Sequence, residues 1–442
     1  MKFEKYRILK ESHSKWLDKI PEEWGEERMK YICKINPSKN SISVAPDLTV
    51  TFLPMEKVSE SGSFEQDLNK PFEEVSNGYT FFCDGDVIVA KITPCFENGK
   101  GAFLEGLENG MGFGSTEFHV LRPHHKKAIP KFIYYLTTSH LFRSTGKRFM
   151  KGVAGQQRVP TEFIENFLVS LPSIDEQKSI VDFLGKSISR IENLKDKYFQ
   201  FTSFLKEKRT ALITHAVTKG LNPDARMKDS GVEWIGEMPE HWEVKRLKFL
   251  VQKKLQYGAN ESGEEYSPEL PKYIRITDID KDGNLRDDDQ KSLPVEVAKD
   301  YMLETGDILF ARSGATVGKT FYYDGLEKAC FAGYMIRASI LKNKNSRYFY
   351  YYTLSSSYDS WLSYIFIKST IENIGAERYA NLVMPLPIQE EQTEIVSYLD
   401  KETRKLDTLI AKIKKQIEFL NEYKISLITQ AVTGKIDVRG VN

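Results

Sequence analysis

Two segments of the chain carry apolar residues at alternating spacings of three and four. These residues are Leu194, Tyr198, Phe201, Leu205 and Leu212 in the first segment, and Leu409, Ile413, Leu420 and Leu427 in the second, where Gln416 stands in the place of Phe201. Such a narrow stripe is typical of a coiled-coil seam rather than of the broad face of a core helix. The residues predicted to form the seam are Leu194, Tyr198, Leu205, Leu212, Leu409, Ile413, Leu420 and Leu427.

No proline interrupts either segment between its Leu-Pro start and its Thr-Lys-Gly or Thr-Gly-Lys end. Each is therefore predicted to be one helix of about 43 residues, which at about 1.5 Å per residue is about 65 Å long. The glycine at each end fits a helix C-cap. We expect the two helices to pack on each other antiparallel, because the chain folds a domain between them.

The same sequence occurs twice along the chain. Ala211–Thr218 returns as Ser426–Thr433 with six of eight positions identical, at an offset of 215. The same offset relates Leu171-Pro172 with Asp175-Glu176-Gln177 to Leu386-Pro387 with Glu390-Glu391-Gln392. A register kept without a gap over some fifty residues indicates a rigid element of fixed length, used once in each half.

The parts that precede the two helices have the pattern of mixed strand and helix. Tyr273–Ile276 and Gly306–Arg312 are predicted strands, and Phe132–Leu136 and Tyr348–Tyr352 are predicted helix starts. Gly85–Ile88 recurs as Gly306–Leu309 at a drifting offset, so the two parts are expected to share a fold and to differ in their loops, which usually carry specificity.

These patterns predict an α+β fold of two globular domains, separated by an antiparallel coiled coil of two long helices, in a pseudo-two-fold repeat. The predicted boundaries are 1–171 for the first globular domain, 172–220 for the first helix, 221–386 for the second domain, and 387–442 for the second helix and tail.

Composition narrows the class of protein. A chain of 442 residues with 40% hydrophobic and 28% charged residues fits two to four globular domains. It has no apolar run of 18 residues, its first residues have no signal-peptide pattern, and its four cysteines have no CxxC spacing. The cysteines are therefore expected to be reduced and the protein to be cytoplasmic, with no membrane partner.

Charge is informative only locally, since the net charge is +1. Residues 118–161 contain no Asp or Glu but nine Lys or Arg, and residues 337–371 contain five basic residues against one acid. Such stretches would give a polyanion such as DNA a positive face. The alternative is a solvated surface whose acids come from elsewhere in the chain.

Two motifs resemble ligand sites but depart from them. Ser313–Thr320 is close to a phosphate-binding P-loop, but it has Ser313 for the first glycine and is followed by a predicted strand. Asp278–Asp289 resembles a calcium loop, but Arg286 takes a ligand position and the preceding segment is strand-like. No catalytic motif is present, including the N/D-P-P-Y/F tetrapeptide of amino-methyltransferases, so we expect no catalytic residues, metal or cofactor in this chain.

The whole chain resembles the DNA specificity subunit of type I restriction–modification systems. The resemblance is carried by the two Leu-Pro starts with their Glu-Gln pairs, the two Leu-Ile-Thr-x-Ala-Val-Thr helix ends, and four further segments. These segments are Ser230–Gly236 with Pro239 and Trp242, Gly306–Gly314, Lys91–Lys100, and Gly155–Pro160.

The resemblance implies two target recognition domains held apart by the paired helices. Two methyltransferase subunits would dock on those helices, and restriction subunits that translocate and cleave DNA would join them. S-adenosylmethionine, ATP and magnesium would be bound by these partners, and this chain would direct their adenine methylation and restriction of DNA in bacterial defence. The chain would be a non-catalytic subunit that reads a bipartite, asymmetric double-stranded DNA target, with half-sites about one helical turn (~34 Å) apart.

Arg, Lys, Gln and Asn on loops of each recognition domain are the candidates for DNA contacts, because such side chains pair with base edges and phosphates. They are Lys91, Lys147, Arg148, Gln156, Gln157 and Arg158 in the first domain, and Arg275, Arg312, Lys319, Lys368 and Asn373 in the second. Two alternatives remain: a two-headed coiled-coil adaptor that joins proteins without binding DNA, and a single-chain modification enzyme.

Overall fold

The structure is a computed structural model that describes residues 4–42, 44–153, 155–280, 283, 285–286, 288–367 and 373–440. The chain divides into two compact units. The first consists of Met1–Tyr198 with Lys414–Asn442, and the second of Phe199–Ile413. Each unit therefore contains part of both long helices. The predicted boundaries instead treat each long helix as a separate segment.

The first unit combines short strands with short helices. Its strands are β1 (Leu9–Glu11), β2 (Lys19–Pro21), β3 (Gly25–Arg28), β4 (Cys33–Ile35), β5 (Thr49–Leu53), β6 (Asn69–Pro71), β7 (Thr80–Cys83), β8 (Val87–Ala90), β9 (Gly101–Phe103), β10 (Met111–Gly114), β11 (Phe118–Pro123) and β12 (Leu168–Leu171). Its helices are α1 (Met29–Ile32), α2 (Phe72–Val75), α3 (Pro130–Thr138), α4 (His140–Phe149), α5 (Thr161–Asn166) and the start of α6 (Ile174–Lys219), with single 3₁₀ turns at Lys39–Ser41, Met55–Lys57 and Glu108–Gly110.

The second unit repeats this plan. Its strands are β13 (Met227–Asp229), β14 (Glu237–Pro239), β15 (Glu243–Arg246), β16 (Gln256–Tyr257), β17 (Glu264–Glu265), β18 (Lys272–Ile274), β19 (Lys291–Ser292), β20 (Ile308–Ala311), β21 (Thr320–Tyr322), β22 (Ala329–Phe331), β23 (Met335–Ala338) and β24 (Val383–Leu386). Its helices are α7 (Val295–Ala298), α8 (Ser346–Tyr352), α9 (Ser356–Ile367), α10 (Ala376–Ala380) and the start of α11 (Gln389–Val432), with 3₁₀ turns at Leu247–Phe249, Ile276–Asp278, Lys299–Tyr301 and Gly314–Thr316.

The central sheet of each unit has the same order. It is β4-β11-β8-β9 in the first unit and β16-β23-β20-β21 in the second. The inner strands β8 (Val-Ile-Val-Ala) and β20 (Ile-Leu-Phe-Ala) are continuous apolar runs and are buried along their whole length, as expected for strands covered on both faces. Phe118 lies opposite Ala90, and Met335 lies opposite Ala311, so both sheets end at equivalent points.

The long helices pair antiparallel inside each unit. In the first unit, Lys424 of α11 binds Glu192 of α6 at 2.8 Å. In the second, Arg209 of α6 binds Asp407 of α11 at 2.9 Å, while Ile213 packs in one core with Ile395. In the described parts of the chain, no helix combines the length and apolar character needed to cross a membrane.

The buried stripe of these helices has a slightly different phase from the predicted seam. Leu205, Ile413 and Leu427 are buried, and Tyr198, Leu212 and Leu420 are partly buried. Leu194 and Leu409, however, are each 39% exposed. The buried stripe runs instead through Ile191 and Ile410. Ile191 lies seven residues before Tyr198, and Ile410 lies three residues before Ile413, so both fit the three-and-four spacing of a seam.

The glutamine of the repeated Glu-Gln pair joins each long helix to the globular part of its unit. The Gln177 side chain is fully buried; its Nε2 donates to the carbonyls of Lys127 and Pro172, and its Oε1 accepts from the N–H of Ile129 at 2.8 Å. In the second unit, the Gln392 Nε2 donates to the carbonyl of Pro387, and its Oε1 accepts from the N–H of Asn345. Buried amides with satisfied hydrogen bonds fix one helix orientation, which explains why the motif occurs in both halves.

Candidate nucleic-acid interface

The central sheet of the first unit ends at Lys91, directly after β8. The Lys91 N–H donates to the carbonyl of Glu117 at 2.8 Å, and its own carbonyl accepts the N–H of Val159 at 2.8 Å. The next residue, Ile92, pairs antiparallel with Arg158. The structure therefore brings Lys91 and Arg158, two predicted DNA contacts, to one edge of the unit.

The second unit has the same arrangement with different side chains. The N–H of Arg312 donates to the carbonyl of Tyr334 at 3.0 Å, and the carbonyl of Arg312 accepts the N–H of Ile374 at 2.8 Å. Ser313 pairs antiparallel with Asn373. Arg312 thus takes the place of Lys91, and Asn373 takes the place of Arg158. The sequence repeat is consistent with this equivalence: Lys91 and Arg312 follow Gly85–Ile88 and Gly306–Leu309 at the same distance, and Arg158 and Asn373 are 215 residues apart, the offset of the two long helices. The structure adds that each pair lies at one edge of its unit.

A tight loop between Lys151 and Arg158 extends this edge in the first unit. The two residues exchange backbone hydrogen bonds, and Val153 between them is 78% exposed. Gln156 is exposed, whereas Gln157 is partly buried and its N–H donates to Thr93 Oγ1 at 2.9 Å. The loop presents the Gln156 side chain to solvent and fixes the Gln157 backbone.

The acid-free stretch of residues 118–161 does not form a continuous positive face. Five of its nine basic residues bind acids from outside the stretch. The pairs are Arg122 with Asp86, Lys127 with Glu27, Lys131 with Glu105, Lys147 with Glu97 and Arg158 with Glu117. The prediction of a positive face from sequence composition therefore needs correction, since carboxylates distant in sequence neutralise much of the charge.

Several predicted contacts are held by carboxylates in this structure. Lys147 lies 2.6 Å from Glu97, and Arg275 lies 2.6 Å from Asp278. Arg158 donates to both carboxylate oxygens of Glu117, and these hydrogen bonds hold the pKa of the Glu117 carboxyl below its usual value. These basic side chains would have to exchange a carboxylate for a phosphate or base in order to contact DNA.

The other candidates have different surroundings. The Arg148 guanidinium lies over the Trp16 ring at 5.6 Å, and the Arg312 guanidinium lies over the Tyr257 ring at 4.8 Å. Lys319, next to β21, is partly exposed. Lys368 lies outside the described residues. Sequence reasoning missed Tyr257, and no local signal could have found it, because the stacking joins two strands distant in sequence.

Glu117 is expected to oppose DNA binding at this edge. Replacing Glu117 with glutamine should raise the affinity of the protein for any duplex DNA about threefold to tenfold at low salt, since Arg158 is released to bind phosphate. The slope of log affinity against log salt should steepen by up to about 0.9, the value for one added phosphate contact. Fluorescence anisotropy with a labelled duplex over a salt series measures both quantities.

Glu22→Gln is the matched control, because it removes an exposed carboxylate elsewhere in the first unit. An equal gain in affinity for both variants would mean that net charge alone matters and that Arg158 does not contact DNA.

Comparison with known proteins identifies the family to which the sequence is similar. The family model for the type I restriction modification DNA specificity domain matches residues 21–200 and 239–419. The specificity subunit of the type I restriction enzyme EcoEI from Escherichia coli is 38% identical over 181 residues, which are 40% of this chain and 30% of that protein. The chain thus spans about 30% of the length of this curated relative. The MjaVIII specificity subunit from Methanocaldococcus jannaschii is 24% identical over 457 residues, covering 100% of this chain and 99% of the relative.

A solved structure, described as the structural basis of complex assembly and conformational transition of the type I R-M system, has a similar fold. Its TM-score is 0.70 at 20% identity, over 94% of this chain and 99% of that chain. The likeness supports the architecture of two repeated units on paired long helices.

Proposed function

Because the chain belongs to the type I restriction modification DNA specificity family, we propose that it is the DNA specificity subunit of a type I restriction–modification complex. In this role it binds double-stranded DNA at a specific sequence and directs adenine methylation and restriction by partner subunits. The chain itself performs no catalysis and works in the cytoplasm.

One observation carries the proposal: the two units present equivalent edges with different side chains. Lys91 and Arg158 at the edge of the first unit correspond to Arg312 and Asn373 in the second. Equivalent backbone positions suit the same approach to a DNA groove, whereas different side chains prefer different bases. The target is therefore bipartite and asymmetric, with an unread spacer between its half-sites.

The long helices offer surfaces for partner proteins. In the second unit, Phe199 and Phe204 on α6 are 56% and 57% exposed. In the first, Phe419 and Tyr423 on α11 are 47% and 45% exposed. Aromatic side chains exposed on a helix are typical of protein-binding surfaces. We assign these surfaces to two methyltransferase subunits, which bind S-adenosylmethionine; restriction subunits, which use ATP and magnesium, complete the complex.

The same aromatic surfaces would also serve a two-headed adaptor that joins proteins without binding DNA. This alternative is favoured by the ion pairs that neutralise much of the basic stretch. It predicts complexes with proteins but no sequence-dependent effect on DNA.

The test is to co-express the chain with its methyltransferase subunit and to map N6-methyladenine across the host genome. We expect a split, asymmetric methylation motif that is absent when this chain is left out. If the complex assembles, as judged by co-purification, and no new methylation appears, the proposal is contradicted and the adaptor is favoured.

A further inference from the structure

Arg312 is held in a fixed orientation at the edge of the second unit. Its guanidinium lies over the Tyr257 ring at 4.8 Å, and its backbone is bonded on both sides, to Tyr334 and Ile374. The Tyr257 hydroxyl accepts the N–H of Ala376 at 2.9 Å, which fixes the position of the ring. Stacking on an aromatic ring restricts the plane of a guanidinium while leaving its outer edge open.

Among the described residues, no hydrogen bond or ion pair is made by the Arg312 side chain. Its Nε is buried without a partner, and so is Oδ1 of the neighbouring Asn373. Two other partly buried arginines of this unit are paired with carboxylates: Arg275 binds Asp278, and Arg347 binds Asp400 at 2.7 Å. The Arg312 side chain is only partly buried, and no carboxylate in the described part of the chain is paired with it, so the outer N–H groups of its guanidinium are available to an acceptor on a ligand.

The chemistry of that acceptor follows from the shape of the group. A planar guanidinium presents two parallel N–H donors, which match two neighbouring acceptors in one plane. In the DNA major groove, guanine offers such a pair, O6 and N7. Lys319 near the same edge is a compact charge on a flexible stem and suits a phosphate oxygen instead.

We propose that Arg312, oriented by Tyr257, reads a guanine in the half-site that the second unit contacts. This inference rests on the proposed function and adds a specific base to it. Arg312 is the specificity-determining residue, and Tyr257 is a positioning residue that acts through it.

The experiment uses the complex of the full chain with its methyltransferase subunit and determines the motif by methylation mapping and by binding to a randomised duplex library. The variants are Arg312→Ala, Arg312→Lys, Tyr257→Leu and Tyr257→Phe. Arg246→Ala is the control, because Arg246 is an exposed arginine of the same unit.

We expect the wild-type motif to contain a guanine whose preference over other bases falls about tenfold or more in Arg312→Ala and Arg312→Lys, in line with the discrimination of about 1–3 kcal/mol given by a bidentate contact. Tyr257→Leu should weaken the preference at that position alone, and Tyr257→Phe, which keeps the ring, should largely retain it. The other half-site should stay unchanged in every variant, a selectivity that general unfolding would not produce.

Two results would overturn the inference while leaving the proposed function intact. One is an unaltered guanine preference in Arg312→Ala. The other is a uniform loss of affinity for all sequences, which would make Arg312 a phosphate contact. A wild-type complex without any sequence preference would overturn the proposed function itself.

Discussion

Replacing Ala431 with aspartate is expected to unfold the first compact unit, although Ala431 lies near the end of the second half of the chain. The Ala431 side chain is fully buried, in one core with Ile180 and Leu184 of α6. A carboxylate there would have no partner, and burying an unpaired charge costs several kcal/mol, a large fraction of the stability of a domain. Ala216→Asp should act in the same way on the second unit, because Ala216 packs in that core with Ile395.

Hydrogen–deuterium exchange followed by mass spectrometry measures the effect, since it reports the protection of each segment separately. For Ala431→Asp, we expect lost protection in β8, β11 and the first half of α6, with β20 and β23 still protected. Ser426→Asp, an exposed change on the same helix, should leave protection unaltered. Lost protection in the second unit alone would mean that the end of α11 does not belong to the first unit.

This exchange of helix ends between halves follows from the antiparallel pairing that the sequence predicts, because such pairing places the end of the second helix beside the start of the first. The pattern of the long helices does predict their existence and approximate length, because both depend on local spacing and on the absence of proline. The two Leu-Ile-Thr-x-Ala-Val-Thr ends are nearly identical, however, so their local sequence alone does not indicate which core residues each end contacts. Those contacts join residues far apart in the chain, such as Ile428 and Leu184, which lie in one core.

Local structure could be predicted where a short run of apolar residues coincides with a strand or with the start of a helix. The predicted strand at Gly306–Arg312 is confirmed as Ile308–Ala311, and the predicted helix starts lie within Pro130–Thr138 and Ser346–Tyr352. The P-loop-like segment is followed by strand Thr320–Tyr322, as predicted, rather than by the helix that a P-loop needs. The calcium-like loop falls partly outside the described residues, and its first carboxylate, Asp278, binds Arg275.

The candidate interface could be predicted only in part. The basic and amide side chains were identifiable by residue type, but their neutralisation was not, because Glu97 and Glu117 come from other strands and loops. The stacking of Arg312 on Tyr257 likewise needs the pairing of β16 with β23 and of β23 with β20. Sequence composition therefore predicts which residues can bind DNA, whereas the tertiary structure determines which of them are unpaired.

Removing one heptad from both long helices together is expected to shorten the spacer of the DNA target by about three base pairs. Residues 203–209 and 407–413 are the suitable pair, because Arg209 binds Asp407 and the helices run antiparallel there. A heptad is about 10 Å of helix, or roughly three base pairs at about 3.4 Å each. The deletion keeps the seam on the same face, since the stripe repeats every seven residues. Methylation mapping of the complex should show both half-sites unchanged in sequence.

Deleting residues 203–209 alone is the control that distinguishes a change in the distance between half-sites from a loss of stability of the second unit. It removes the buried Leu205 and leaves Asp407 without Arg209, its ion-pair partner, so the second unit should lose stability and methylation should disappear. The paired deletion retains matched helices and should retain methylation. An unchanged spacer in an active paired deletion would show that the helices do not set the distance between half-sites, and that this distance is fixed by the partner subunits instead.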